Sequence, residues 1–342
     1  MSIPAQYFLP GVYDIYAVND WDGKIMAESL LAVEGEAVFT SSNFNGNYMS
    51  GKQMTATIKD KVSGKPLTSL AVKAVFTKGK STVTRVYYPD SNGKISFVPP
   101  VGVGTWKVTF SSYFDSTITG TAVKTAKITK SKVSIKAYKV TEYKGYKTTL
   151  KAVVKSHGKK VNEGTVKFKI NGKTYRASVK NGVATVKVKL SKIKTYKYTA
   201  KYNGNGNLKA SKNVKSKAVL KKRLNTKIVM KNYYSVYSTV SSKIITVKVK
   251  TTSGKNVKNG KLKIRANGVT SYATVTNGKA KLSMYGLGMK HFKSISGNTE
   301  TYKKVINKVV KLKYIPESHK YKSSSKKVKA ASKFKCPGCG KT

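Results

Sequence analysis

Two cysteines, Cys336 and Cys339, are the side chains whose type and spacing best suit a chemical role. They lie in Cys336-Pro-Gly-Cys339-Gly340, and two cysteines separated by two residues in such a turn supply half of a tetrahedral zinc site. A structural zinc requires four ligands, so the other pair would have to come from a missing half or from another copy. The alternative interpretations are a terminal segment without function and a redox or interchain crosslink.

Acidic and histidine side chains are too few and too scattered to build a catalytic site. The three histidines are isolated from one another, and six of the 13 acidic residues lie within residues 1–45. A Ser/His/Asp arrangement or a pair of catalytic carboxylates would have to reach across domains. We therefore predict that the protein is not an enzyme and has neither a small-molecule substrate nor a cofactor other than zinc at the cysteine pair.

The charge of the chain is strongly positive and unevenly distributed. Residues 1–45 contain six acids and one base, whereas residues 46–342 contain 67 bases and seven acids, a net charge of +60. Only four of the bases are arginine, the side chain suited to bidentate recognition. A lysine-coated surface favours diffuse attraction to polyanions over the reading of a base sequence. Alternatively, the lysines keep exposed strands soluble and prevent pairing between strand edges, and both explanations can hold.

Residues 147–190 contain three runs in which apolar and polar residues alternate. Alternation of period two places the apolar side chains on one face of a sheet and the charged side chains on the other. Asn171-Gly172 and Asn181-Gly182 separate the runs, and Asn-Gly suits tight hairpin turns. We predict an antiparallel sheet whose outward lysines contact polyanions. The lysines selected are Lys167, Lys169, Lys187 and Lys189.

The pattern of residues 147–190 recurs 96 positions further on, where Gly254 and Gly260 match Gly158 and Gly164. At about 100 residues per sandwich, the chain can hold three such domains. The predicted organisation is a partial repeat of the last strands only at 1–33, full repeats at 34–127, 128–222 and 223–314, and a flexible Lys/Ser-rich tail with the cysteine knuckle at 315–342. The aromatic residues predicted to fill equivalent core positions are Tyr13, Trp106, Tyr196 and Phe292.

Several motifs resemble one known type of repeat. Lys-Val-Lys-Val strands, Gly-Lys-x-Val turns, Asn-Gly-Lys-x-Tyr hairpins and the segment Tyr-Lys-Tyr-Thr-Ala-Lys-Tyr-Asn-Gly-Asn at 196–205 resemble the bacterial-type Ig-like repeats of adhesin-like surface proteins of methanogenic archaea. The resemblance covers residues 34–314 and the partial repeat. It implies an all-β fold of tandem Ig-like antiparallel β-sandwich domains and a structural, adhesive role at the extracellular cell surface. The implied partners are anionic cell-wall polymers or glycans and neighbouring repeats of the same protein.

The sequence departs from that type of protein at its termini. No apolar run approaches the roughly 20 residues of a membrane span. The N-terminal segment MSIPAQYFLPGVYD has no basic region followed by an apolar stretch, so we expect that this chain contains no secretory signal peptide. We interpret the chain as a fragment of a longer protein or as a sequence with a misplaced start. The alternative function is a nucleic-acid-associated basic protein with a zinc-ribbon-like C-terminus, which the net charge and the cysteine pair favour.

Overall fold

The computed structural model describes residues 9, 11–113, 117–230, 244–266, 269–283 and 309–329. These residues form β-strands connected by turns, and they contain no α-helix, which confirms the predicted all-β fold. The chain divides into two compact units. Unit 1 comprises Met1–Tyr138, Lys151–Val186 and Thr199–Ser216, and unit 2 comprises Lys139–Leu150, Lys187–Tyr198 and Lys217–Thr342.

The first two strands of unit 1, β1 (Gly11–Val18) and β2 (Ile25–Val33), form a hairpin. They pair antiparallel, with Tyr13 opposite Leu31. Several large apolar side chains of this hairpin are exposed to solvent, namely Ile15, Tyr16, Val18, Ile25, Met26 and Leu30. The assignment of residues 1–33 to the last two strands of an incomplete repeat is compatible with the hairpin and stays a prediction.

The first complete repeat lies in unit 1 and consists of two sheets. Its strands are β3 (Gly35–Ser41), β4 (Phe44–Asn47), β5 (Met54–Asp60), β6 (Val72–Lys78), β7 (Ser81–Tyr87), β8 (Lys94–Phe97), β9 (Gly104–Ser112), β10 (Ile118–Thr119) and β11 (Thr121–Thr129). One sheet has the strand order β10-β3-β5-β8, and the other has the order β4-β11-β9-β6-β7. The β4 strand runs parallel to β11, whereas β11, β9, β6 and β7 pair antiparallel. Buried and exposed residues alternate along β5, so this strand has one apolar face.

The core of the first repeat is rich in aromatic rings. The ring of Phe97 stacks on Tyr87 with their centroids 4.2 Å apart, and it meets Phe76 edge-on at 6.1 Å. Trp106 is buried in the same core, and its indole N–H donates a hydrogen bond to the carbonyl oxygen of Gly102 at 2.9 Å. Such pairing satisfies the polar edge of a ring whose remaining surface is apolar. The prediction that Trp106 fills the core is therefore confirmed.

Residues 131–222 supply nine further strands. These are β12 (Ser134–Ala137), β13 (Val140–Tyr143), β14 (Thr148–Ser156), β15 (Lys159–Lys160), β16 (Thr165–Ile170), β17 (Lys173–Ser178), β18 (Val183–Val188), β19 (Thr195–Tyr202) and β20 (Val214–Lys221). One sheet has the order β12-β14-β15, with β18 also pairing with β14, and the other has the order β13-β20-β19-β16-β17. Asn171 and Asn181 have φ of 49°, and the glycines after them have φ of 76° and 77°. Two successive positive φ angles are typical of hairpin turns and confirm the predicted turns.

Two buried tyrosines occupy equivalent positions, one in each unit. In unit 1 the Tyr202 hydroxyl donates to the carbonyl oxygen of Glu163 at 3.2 Å, and its ring covers Gly164. In unit 2 the Tyr314 hydroxyl donates to the carbonyl oxygen of Asn259 at 2.7 Å. Burial raises the pKa of both tyrosines to about 12, because a phenolate loses its hydration there.

The third repeat lies in unit 2. Its described strands are β21 (Thr226–Val229), β22 (Ile244–Thr251), β23 (Asn259–Ala266), β24 (Val269–Thr276), β25 (Lys279–Ser283), β26 (Val309–Pro316) and β27 (Ser324–Lys329). Their order is β21-β22-β25-β24-β23-β26-β27. A single pair, Thr276 with Lys279, joins β24 to β25 at the hairpin turn. The strands therefore form a layer of three and a layer of four, with buried residues such as Leu262 and Leu312 in the core.

The third repeat extends beyond its predicted end at residue 314. Residues 315–329 are predicted to belong to a flexible linker, yet β27 pairs with β26 over six positions. Tyr321 and Val328 are buried, with 3% and 2% of their surfaces exposed. The prediction is wrong here because β27 carries one buried apolar residue among lysines, so its composition hides the strand. Residues 330–342 lie outside the described residues.

The third repeat is also longer than the second. Glu163 and Asn259, whose carbonyl groups accept the tyrosine hydroxyls, are 96 residues apart. The tyrosines themselves are 112 residues apart, so the third repeat gains 16 residues between these two points. The predicted equivalence of Phe292 with Tyr196 uses the offset of 96; Phe292 lies outside the described residues, so this equivalence stays a prediction.

Candidate functional site

The four lysines predicted to contact polyanions belong to two different sheets. Lys167 and Lys169 lie on β16, whereas Lys187 lies on β18 and Lys189 follows that strand directly. Lys167 is half-buried, and the other three side chains are exposed. The two pairs therefore do not form one continuous row, and their contact with polyanions stays a prediction.

The predicted zinc ligands, Cys336 and Cys339, lie outside the described residues. Within the described ranges, no group of three or more His, Cys, Asp or Glu side chains is arranged to hold a metal ion. The interpretation of the cysteine pair as half of a zinc site therefore stays a prediction.

A basic groove on the third repeat is the feature that sequence reasoning missed. It has a volume of about 440 Å³ and lies on the outward face of the layer that contains β23, β26 and β27. Leu262 and Leu312 point into the core, so the residues that alternate with them on these strands point outward. The residues that line the groove are Lys263, Arg265, Lys311, Leu312, Lys313, Ser325, Lys326 and Lys327.

The strand register arranges five of these cations in two rows. Lys311 of β26 lies opposite both Arg265 of β23 and Lys327 of β27, which gives a row of three charges across three strands. Lys313 lies opposite Lys263 in the neighbouring row. Residues directly opposite in antiparallel strands have Cβ atoms about 5 Å apart, and successive outward residues on one strand are about 6.8 Å apart. The five side chains thus originate within a small patch of the sheet.

The charges of this groove are not neutralised by the residues that line it. None of the lining residues is acidic. In the part of the chain that the structure describes, the ion pairs are Lys24–Asp22 and Lys61–Glu36, His319 contacts Glu142, and none of these residues lines the groove. Like charges directly opposite each other destabilise a sheet, and two unit charges 5 Å apart repel by about 0.8 kcal/mol even in water. An anion placed between the rows would relieve this repulsion.

The sixth cation of the groove, Lys326, has a structural partner. It lies opposite Leu312 on the inner side of β27, and its Nζ donates to the carbonyl oxygen of Met230 at 3.0 Å. This bond holds the ammonium group at the end of β21. The five cations of the two rows are therefore the ones available to an external anion.

One exposed aromatic ring adjoins the two rows. Tyr272 of β24 lies opposite Lys263, and 58% of its surface is exposed. The Nζ atom of Lys263 lies 5.9 Å from the centroid of this ring, at the outer limit of a cation–π contact. A line across four adjacent strands consequently runs from Tyr272 through Lys263 and Lys313 to Ser325.

A serine and a histidine in unit 1 have the spacing of a nucleophile and its base, but their surroundings exclude that role. Ser131 Oγ lies 3.0 Å from His157 Nε2. However, Ser131 is completely buried, and its hydroxyl donates to the carbonyl oxygen of Tyr48. A nucleophile must reach a substrate, so this pair is a structural contact between the segments around residues 48, 131 and 157.

The same region of unit 1 contains a polar junction between the first and second repeats. The Oδ1 atom of Asn207 accepts a hydrogen bond from the backbone N–H of Val103, with an N–O distance of 3.0 Å. The amide nitrogen of Asn207 donates a hydrogen bond to Glu163 Oε2 at 3.3 Å. Burial, followed by the nearby Glu163 carboxylate, raises the pKa of Tyr48. Asn207, held by Glu163, thus connects the two repeats.

Unit 2 contains the corresponding junction between the second and third repeats. The His319 ring stacks on Tyr146 with centroids 3.6 Å apart, and its Nδ1 lies 3.0 Å from Glu142 Oε1. The Arg223 guanidinium lies 5.2 Å from the Tyr146 ring centroid, and its Nε donates to the carbonyl oxygen of His319 at 3.2 Å. His319, which the sequence places in a flexible tail, is therefore held by residues of both repeats.

One segment of the chain matches a known protein family. Residues 136–219 match the family described as Bacterial Ig-like domain (group 3). This match lies within the predicted second repeat and supports the Ig-like part of the resemblance seen in the sequence. It carries no information on an archaeal origin. No curated protein gives a match to the chain.

Solved structures similar to this chain include two adhesins and a set of fibronectin-type domains. A 1.5-MDa bacterial ice-binding adhesin is 12% identical, with a TM-score of 0.29, covering 87% of this chain and 100% of that chain. A Ca²⁺-stabilised, ice-binding adhesin of an Antarctic bacterium is 12% identical, with a TM-score of 0.31 and coverage of 93% and 80%. The FN1–FN3 domains of chicken CNTN1 are 10% identical, with a TM-score of 0.37 and coverage of 86% and 98%. None of these similarities assigns a ligand or an activity to the chain.

Membrane insertion through helices has no support in the described residues. Among them there is no helix with the length and apolar character needed to cross a bilayer.

Proposed function

We propose that the chain is a non-enzymatic structural and adhesive protein of the cell envelope. In this proposal the Ig-like repeats act as spacers outside the cell, and their lysine-rich faces contact anionic wall polymers or glycans. The match of residues 136–219 to a bacterial Ig-like domain and the repeated strand architecture support the spacer role. The contacts of Asn207 and His319 at the two junctions support an array in which neighbouring repeats bind each other.

The observation that carries the adhesive part of the proposal is the basic groove. It presents five outward cations in adjacent strand positions, and no acidic residue lines it. A surface of this kind binds polyanions by displacing their counterions, so its affinity falls as the salt concentration rises. Lysine supplies four of the five cations, and lysine offers a point charge rather than a planar fork.

A nucleic-acid-associated role is the second candidate. It is favoured by the net charge of +60 carried by residues 46–342 and by the cysteine pair, which would supply half of a zinc site. The two candidates share the same long-range attraction to negative charge. They differ in whether duplex DNA is preferred over an acidic polysaccharide of equal charge.

A binding titration with the full chain separates these candidates. The ligands are polygalacturonate, duplex DNA of equal total charge and neutral dextran, each measured at a low and a high salt concentration. We expect binding to polygalacturonate at least as tight as to DNA, a steep loss of affinity at high salt, and no binding to dextran. Much tighter binding to DNA would favour the second candidate. Binding to dextran that salt does not affect would contradict a charge-based contact.

A further inference from the structure

We propose that the basic groove of the third repeat is a defined binding site for an acidic polysaccharide, in which a sugar ring stacks on Tyr272 and acidic groups lie along the two cation rows. This inference rests on the proposed function and adds its location and the chemistry of its ligand. The described residues carry lysines on many strands, but the groove combines a concave surface with two adjacent rows of charge, and the exposed ring of Tyr272 adjoins it.

The direction of the ligand follows from the line that Tyr272, Lys263, Lys313 and Ser325 form across β24, β23, β26 and β27. Four strands span about 14 Å between the outermost positions, since neighbouring strands lie about 4.8 Å apart. A polymer lying along this line would meet a ring first, then two ammonium groups, and finally a hydroxyl. The second row, with Arg265, would face acidic groups on the other side of the polymer.

The aromatic content of the surface favours a polysaccharide over a nucleic acid. Single-stranded nucleic acids bind through several aromatic side chains on which successive bases stack. Among the described residues, this surface offers one exposed ring, Tyr272, which adjoins its lysine side chains. A single ring suits the apolar face of one sugar, and hydroxyl groups of another sugar further along the polymer can bond with Ser325. The dominance of lysine also provides no pair of forks for base edges.

The matched experiment compares two triple variants of the full chain. The first replaces Lys263, Lys311 and Lys313 by Gln, and the second replaces Lys169, Lys187 and Lys189 by Gln. Both remove three exposed or half-buried positive charges from strand faces, so the net charge of the two variants is identical. Affinity for polygalacturonate and for polyphosphate is measured over a range of salt concentrations, and circular dichroism confirms that both variants remain folded.

The groove variant is expected to lose about tenfold more affinity for polygalacturonate than the control variant. Its slope of log affinity against log salt is expected to flatten by about 2 to 3, because three counterion-releasing contacts are lost. Equal losses in the two variants would overturn the inference and leave the proposed function intact as a diffuse charge effect. Absence of polygalacturonate binding by the unmodified chain would instead overturn the proposed function itself.

The role of the ring is tested with Tyr272→Ala, and Tyr88→Ala is the control because Tyr88 is also exposed but lies in unit 1. We expect Tyr272→Ala to weaken polygalacturonate binding about fivefold, in the range of aromatic contact energies, and to leave polyphosphate binding unchanged because that polymer has no ring. Tyr88→Ala should alter neither. A larger loss for oligodeoxythymidylate than for polygalacturonate would overturn the inference in favour of a nucleic acid.

Discussion

Replacing Gly164 by alanine tests whether the ring of Tyr202 fixes the turn before β16. An added Cβ would lie 2.7 Å from Cζ and 2.8 Å from Cε2 of that ring, well inside normal contact distance. Overpacking of a filled site costs about 1–3 kcal/mol. Gly164 also has φ of +77°, a left-handed conformation that costs alanine about 1 kcal/mol. We expect the free energy of unfolding of the second repeat to fall by about 3 kcal/mol.

Gly172→Ala is the matched control. Gly172 has φ of +76°, and an added Cβ would meet nothing within 4 Å. This variant carries the backbone cost alone, so it should lose about 1 kcal/mol. The difference between the two variants, about 2 kcal/mol, isolates the contact with Tyr202.

Amide hydrogen exchange of the full chain is the appropriate assay, because several repeats in one chain need not unfold in a single transition. The slowest amides of the second repeat, such as that of Val154 in β14, report its opening free energy. Faster exchange should be confined to that repeat. An equal loss in Gly164→Ala and Gly172→Ala would refute the reasoning, since the ring contact would then contribute nothing.

Two further predictions concern the buried tyrosines and the first junction. Because an unfolded tyrosine ionises near pH 10 whereas Tyr202 and Tyr314 ionise at about 12, their contribution to stability is complete below pH 10 and is lost between pH 10 and 12. Tyrosinate absorbance and circular dichroism should change together in that range; complete tyrosine ionisation near pH 10 in a folded protein would contradict this. Asn207→Ala should speed exchange of the Val103 amide, which loses its acceptor at a cost of about 1 kcal/mol, without affecting Val154. Unchanged exchange at Val103 would show that this bond does not hold the junction.

The strands and tight turns of the second repeat could be predicted because their signals are local. Alternation fixes which residues of a strand share a face, and Asn-Gly pairs such as Asn171-Gly172 fix where the chain reverses. The β27 strand could not be predicted in the same way. Its lysines outnumber its apolar residues, and it is a strand because β26 offers it a partner. The extra 16 residues of the third repeat also break the offset of 96 on which the comparison of repeats depends.

The basic groove was also predictable only in part, because some of its features follow from the local sequence and others depend on pairing between strands. Alternation alone indicates that Lys263 and Lys311 point outward from their strands. The assembly of the cations into rows depends on the register of β26 with β27 and with β23, which lies far from both in sequence. Four outward lysines could therefore be selected in the second repeat, where the pattern is clearest, while the denser group in the third repeat was missed.

The parallel pairing of β4 with β11, and of β13 with β20, gives the repeats a mechanical property. In each pair a strand near the start of the repeat lies beside the strand that ends it, with four residues matched on each side. Tension along the chain would pull these parallel neighbours in opposite directions along their own length. The hydrogen bonds between them would then bear the force together and would not open one after another. Each of these two repeats should therefore resist extension until the whole pairing shears in one event.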